Sequence, residues 1–156
     1  MTEKNRPFVL GPGEGRSIDL GNFTMLVRAA DDGTEGAFTL LEATEPAGFG
    51  PPLHIHHDAA EAFYILEGEY RIFLPDGEHR CPAGSFIFIP AGIEHGFRVA
   101  DVPSRKLILY SPAAMLGYFD ALSATILAGD ADAERLDEIA RRFGMEVTGP
   151  VPEGYL

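Results

Sequence analysis

GPPLHIHHDAAEAFYILEGE, residues 50–69, carries three of the five histidines in a chain of 156 residues and then runs into an apolar segment. After Pro51 and Pro52, residues 53–56 alternate apolar and polar side chains, the period of a strand. Alternate residues of a strand share a face, so His54 and His56 point the same way, with Cα atoms roughly 6.5–7 Å apart. His57 has the opposite parity and points away. The loop DAA then returns the chain, and Glu61 opens the next apolar run. A hairpin at this point folds the Glu61 carboxylate back beside the two imidazoles.

The same punctuation continues on both sides. Residues 1–16 read as an irregular arm with GPGEG as a turn. SIDLGNFTMLVRAA ends at the turn DDGTEG, and AFTLLEAT ends at the Pro/Gly loop EPAGFGPP. Downstream, EAFYILEGEYRIFL turns at PDGE, GSFIFIP turns at AGIE, and HGFRVA passes through DVPS to RKLILYS. Short strands at this spacing, with no helical period between them, predict a β-sandwich or barrel over residues 17–112.

Beyond Ser111 the period changes. Ser111 and Pro112 fit an N-cap and first helical position, with Met115, Leu116, Phe119 and Leu122 following at helical spacing. A second helix is marked by Leu136, Ile139, Ala140 and Phe143, with Asp132 and Glu134 early, Arg141 and Arg142 late, and Gly144 past the end. Residues 113–156 are therefore expected as a helical extension packed on the barrel, because about 30 residues make too small a core of their own. The tail EVTGPVPEGYL reads as extended.

Composition narrows the partners. The chain is 46% apolar and 23% charged, as in an ordinary globular domain, and its 12 prolines and 18 glycines suit a turn-rich β protein. Its formal net charge of −12 repels phosphate backbones and anionic lipid, which excludes nucleic acid and membrane surfaces as expected partners. The first residues lack the apolar stretch of a signal peptide, and no run reaches the roughly 18 apolar residues needed to span a bilayer. With a single cysteine, Cys81, an intrachain disulfide is impossible, and a cytoplasmic protein is the expectation.

His95, in PAGIEHGF, begins another strand after a Pro-Gly turn. With His54, His56 and Glu61 it completes a set of three imidazoles and one carboxylate, a mixed N/O site for a first-row divalent metal. Taken singly, each histidine would be an ordinary polar rim residue; the set of four at this spacing is what points to an ion.

The spacing also carries a family resemblance. Gly48, His54-x-His56, Glu61 and Gly68 resemble the first cupin motif in full, and Gly84, Pro90-x-Gly92 and His95 resemble the second. About fifteen residues separate the two motifs, as in compact microbial cupins. Val99 stands where the second motif has asparagine, a position that is not a ligand. The resemblance covers residues 17–112, and the chain is similar to bacterial single-domain cupins of the quercetin 2,3-dioxygenase-like group. It implies an all-β double-stranded β-helix, or jelly-roll barrel, with the two helices packed on it. It further implies His54, His56, Glu61 and His95 as ligands to one divalent metal: Fe, Ni, Co, Mn or Zn.

The function implied is a metal-dependent dioxygenase of a small aromatic, flavonol-like or polyketide-like compound. It would take O2 as co-substrate, and Glu61 would also handle a proton. The alternatives are a zinc-type Lewis-acid cyclase or isomerase, and a non-catalytic small-molecule-binding cupin. By analogy with the family a homodimer is expected, formed through sheet edges and an exchanged N-terminal segment. Alternation places Phe63, Ile65, Phe73, Phe86, Phe88 and Phe97 on the barrel lining. Phe49, Phe63, Phe73 and Phe97 are the candidate substrate contacts, with Tyr64, Tyr110 and Met25 as further pocket residues. His57 and His79 read as solvated, Glu67 and Glu69 as a hairpin rim in water, and Cys81 as a small buried filler.

Overall fold

A computed structural model describes residues 6–151. Residues 1–5 of the expected arm and 152–156 of the expected tail lie outside the described residues. The strands are β1 (Arg16–Asp19), β2 (Thr24–Ala29), β3 (Thr39–Glu45), β4 (Leu53–His56), β5 (Ala60–Glu67) and β6 (Glu69–Leu74). They continue with β7 (Gly77–Pro82), β8 (Phe86–Ile89), β9 (Gly96–Val99), β10 (Ser104–Ser111) and β11 (Met145–Gly149). A one-turn helix α1 (Asp31–Thr34) sits in the first long turn, and α2 (Leu116–Leu127) and α3 (Ala133–Arg142) precede β11.

One sheet runs β1-β2-β3-β10-β5-β8; a three-stranded sheet β7-β6-β9 and a pair β11-β4 complete the shell. All pairings are antiparallel. This is the jelly-roll arrangement that the motifs imply. The interior is one continuous apolar core running from Ile18 and Leu20 through Leu41, Ile65 and Ile72 to Met145. Burying each such aliphatic side chain contributes about 1.5–3 kcal/mol, so the core dominates the stability of the shell.

Register organises the interior into layers. β10 pairs with β5 so that Tyr110 lies opposite Glu61, Ile108 opposite Phe63 and Lys106 opposite Ile65. All six are buried. On β9, His95, Phe97 and Val99 share the same inward parity, and all are buried too. Polar and aromatic layers are thus stacked along the barrel by the period of two. The turn from β5 to β6 depends on Gly68, whose φ is 76° and where an added Cβ would lie 2.1 Å from Ser104 Oγ. That hydroxyl accepts a hydrogen bond from Glu69 N at 3.0 Å, so the close approach is itself a contact of the fold.

Three expectations are corrected. β10 extends through Ser111, which pairs with Ala60, so Ser111 is not the helix cap; α2 starts at Leu116 instead. Phe86 and Phe88 are 66% and 59% exposed, because the pairing of Ile89 with Glu61 and of Ile87 with Phe63 turns the isoleucines inward. Phe73 has the opposite parity to the inward Tyr70 and Ile72, and lies with Leu53 and Leu74 in a separate shallow pocket. The second helix closely follows its sequence signals: Asp132 accepts from Arg135 N at 2.8 Å as its cap, and Arg141 and Arg142 occupy the last turn.

Candidate metal centre

β4 carries His54 and His56, with both rings inward as alternation requires. Its flanks fix it in place. On one side β11 pairs with it, Val147 opposite His54 and Met145 opposite His56. On the other, His54 and His95 exchange both backbone hydrogen bonds at 2.9 Å, and Gly92 N donates to His56 O at 2.8 Å. The two histidine-bearing segments, some forty positions apart in sequence, are therefore direct neighbours in space. Glu61 enters from β5.

The four side chains converge. Their candidate ligand atoms all lie within 4.8 Å of one another, and all four residues are buried. The ring centroids of His54 are 4.9 Å from His56 and 4.4 Å from His95. Two rings are aimed by the backbone: His54 Nδ1 donates to Pro52 O at 2.7 Å and His95 Nδ1 to Ile93 O at 2.8 Å. At His54, protonation at Nδ1 leaves Nε2 as the inward ligating atom, the tautomer a metal requires; at His95, a metal would take the place of the proton that Nε2 directs at Glu61.

Burial and mutual contact set the electrostatics of the four groups. Burial, reinforced by the two neighbouring imidazoles, pushes the His54 pKa down to about 3, so its ring stays neutral. Burial alone would raise the Glu61 pKa, but His56 and His95 outweigh it and hold the carboxyl well below its usual range. At His95 burial again opposes the charged form, and the 2.8 Å bond from Nε2 to Glu61 Oε1 prevails and raises the pKa. His56 Nε2 stands 3.5 Å from Glu61 Oε2, and neither of its ring nitrogens has a hydrogen-bond partner although both are buried. Buried polar atoms without partners are rare and costly, and a bound ion would supply the missing partner. The residues present fit a divalent metal, with imidazole and carboxylate suiting several first-row ions.

The cluster opens on a cavity of about 460 Å³ whose walls are largely apolar. Phe49, Phe63, Phe97, Met25 and Tyr110 line it, and the helices roof it with Phe119, Leu122 and Leu136. Phe73 does not reach it, and Tyr64 lies on the outer surface. Tyr110, opposite Glu61, stands edge-on to His56 at 5.2 Å. Burial first, and then the Glu61 charge, raise its phenol pKa well above the ordinary value. His57 projects outward and meets Glu146 at 2.9 Å, and His79 pairs with Asp76 at 2.8 Å, both in solvent. Burial, aided by the charge of Glu69, pushes the Cys81 thiol up, as befits an inert filler.

The sequence reading missed a second polar group at the cavity wall. Glu45 lines the cavity, and behind it lie the fully buried Lys106 and Tyr70. Lys106 shares its inward parity on β10 with Ile108 and Tyr110, a face that the register with β5 fixes.

The cupin-domain family model matches residues 40–107. With the barrel and the paired motifs, this identifies residues 40–107 as a cupin domain. Among curated proteins it is 27% identical over 141 residues to quercetin 2,3-dioxygenase of Bacillus subtilis, an alignment that takes in 88% of this chain but 42% of that protein. The chain thus spans less than half the length of that relative. Among solved structures, an RmlC-like cupin from Shewanella frigidimarina superposes with a TM-score of 0.60 at 18% identity, over 71% of this chain and 95% of the other. The polyketide cyclase RemF from Streptomyces resistomycificus gives 0.52 at 25% identity, over 64% and 69% of the two chains. Among the described residues no helix is long and apolar enough to cross a membrane.

Proposed function

We propose that the protein is a metal-dependent dioxygenase acting on a small aromatic, flavonol-like or polyketide-like compound. The observation that carries this reading is the buried quartet, with the unpartnered ring nitrogens of His56, set in the wall of a largely apolar cavity. The similarity to quercetin 2,3-dioxygenase along most of the chain supports the oxygenase chemistry. In this reading His54, His56, Glu61 and His95 hold the metal. A bound redox-capable ion supplies Lewis acidity and a route for O2 to react with an electron-rich substrate.

The chain's own residues do the rest. Glu61, kept ionised by its histidine neighbours, accepts the proton of a substrate hydroxyl at a carboxylate oxygen. Tyr110 stays protonated beside it and can donate a hydrogen bond to a substrate oxygen. Phe49, Phe63 and Phe97 clasp the flat apolar part and keep water away. The test is O2 uptake by the protein loaded in turn with iron, nickel, cobalt and manganese, against a panel of flavonols. Uptake with at least one metal is expected; none with any of them rejects the dioxygenase.

The second reading is a Lewis-acid cyclase or isomerase, favoured by the likeness to RemF. Stoichiometric zinc in the protein as purified would support it, because zinc has no redox chemistry. Two copies are further proposed to pair across the edge strand β8, which ends the large sheet. There Phe86 and Phe88 project outward with Tyr64 opposite Phe86, an apolar strip free of acidic side chains on a strongly acidic chain. Light scattering is expected to give twice the chain mass, falling to one chain for Phe88→Glu.

A further inference from the structure

The layers along β10 end on an unusual residue for a barrel interior. Tyr110 stands beside the quartet, Ile108 beside the aromatic layer of Phe63 and Phe97, and Lys106 one step deeper. Four residues of strand separate Tyr110 from Lys106, about 13 Å at 3.3 Å per residue. Lys106 is fully buried, its ammonium 3.7 Å from the Phe97 ring centroid and 4.5 Å from that of Tyr70. It pairs with Glu45 Oε1, and the Tyr70 hydroxyl donates to the same oxygen at 2.7 Å.

A buried ion pair is a poor stabiliser, because replacing both partners with apolar groups is often neutral or favourable. This pair is also placed where a ligand can use it. Of the three residues only Glu45 lines the cavity, and both of its protein donors end on Oε1. Its other oxygen is the acceptor left for a guest.

We propose that Glu45, held by Lys106 and Tyr70, is a second polar pole of the cavity. It accepts a hydroxyl of a flat ligand whose opposite end is held at the quartet. The inference rests on the substrate class proposed above and sharpens it to a polyphenol hydroxylated at both ends. A hydroxyl donating to an ionised carboxylate in an apolar wall makes a bond about twice as strong as a neutral one. An analogue without that hydroxyl leaves the carboxylate unpaired, which is how a polar pocket discriminates.

The experiment compares quercetin with 3-hydroxyflavone, which shares the hydroxyketone that can reach a metal but lacks the remote ring hydroxyls. Binding is measured by calorimetric titration of zinc-loaded protein, so that no turnover intervenes. The parent is expected to favour quercetin at least about tenfold, a bond's worth of discrimination. Glu45→Leu combined with Lys106→Met is expected to cut the preference to within about twofold, with zinc content and melting temperature kept. Glu45→Gln, which preserves the shape, should fall between and serves if the double variant fails to fold.

A folded, zinc-loaded variant that retains the full preference overturns the proposal, as does a parent that shows none. If the preference is present but no metal supports O2 uptake, the dioxygenase fails and the second pole stands. If neither flavonol binds, both fall.

Discussion

The quartet of His54, His56, Glu61 and His95 and the trio of Glu45, Tyr70 and Lys106 occupy one barrel, separated by a layer of aromatic rings, and they differ in what each lacks. The trio is closed. Its ammonium has its carboxylate, its phenol has an acceptor, and three rings face the cation. The quartet differs: both ring nitrogens of His56 are buried without a hydrogen-bond partner, Nε2 standing 3.5 Å from Glu61. In a low-dielectric interior a polar group needs a partner, so the trio, whose ammonium and phenol are both paired, holds itself together, whereas the quartet has ring nitrogens that a bound ion would satisfy. Removing a member should therefore have opposite consequences in the two places.

The largest effect is expected at the trio. Lys106→Met strands Glu45 as a buried unpaired charge, and denaturant unfolding should show a loss of about 3–5 kcal/mol. Adding Glu45→Leu removes the stranded charge and should recover most of that loss, since a buried pair exchanged for apolar side chains of like size is often neutral. If the single variant is as stable as the parent, the trio is more open to water than its burial indicates, and the contrast with the quartet collapses.

The two clusters were unequally legible in the sequence, for a physical reason. The quartet announces itself because parity on one short strand, a hairpin and a Pro-Gly turn fix where His54, His56, Glu61 and His95 point before any tertiary contact is known. Lys106 does not, because RKLILYS is apolar on both faces beyond its basic start and local alternation cannot say which face is inner. The register with β5 decides it: Lys106 opposite Ile65 faces in, and Arg105 opposite Glu67 faces out. FIFI poses the same ambiguity, and there the pairing of Ile87 and Ile89 sends Phe86 and Phe88 outward. Ile72 and Phe73 are both buried, so no polar alternation separated the inner residue from the outer one. The end of β10 at Ser111 likewise follows from its pairing with Ala60, a contact formed across fifty residues of chain.

The smaller effect is expected at the quartet, and its sign is the sharper test. His56→Leu removes ring nitrogens that make no close hydrogen bond, losing only the 3.5 Å contact with Glu61, and fills much of the same space with carbon. An unsatisfied buried polar group costs about 1–3 kcal/mol, so the metal-free variant should match or exceed the metal-free parent in stability, within about 1 kcal/mol. Zinc then separates the two proteins. Free metal at 100 times its Kd adds about 2.7 kcal/mol to a chain that binds it only when folded, and the parent should gain this while the variant gains almost nothing. Urea unfolding of both proteins with and without zinc measures all four states. A variant that loses several kcal/mol without zinc would mean that His56 is already satisfied inside the protein. A variant that keeps the full gain with zinc would mean that the ion is held without it. Either result would leave the barrel intact and remove the reason for calling this cluster incomplete.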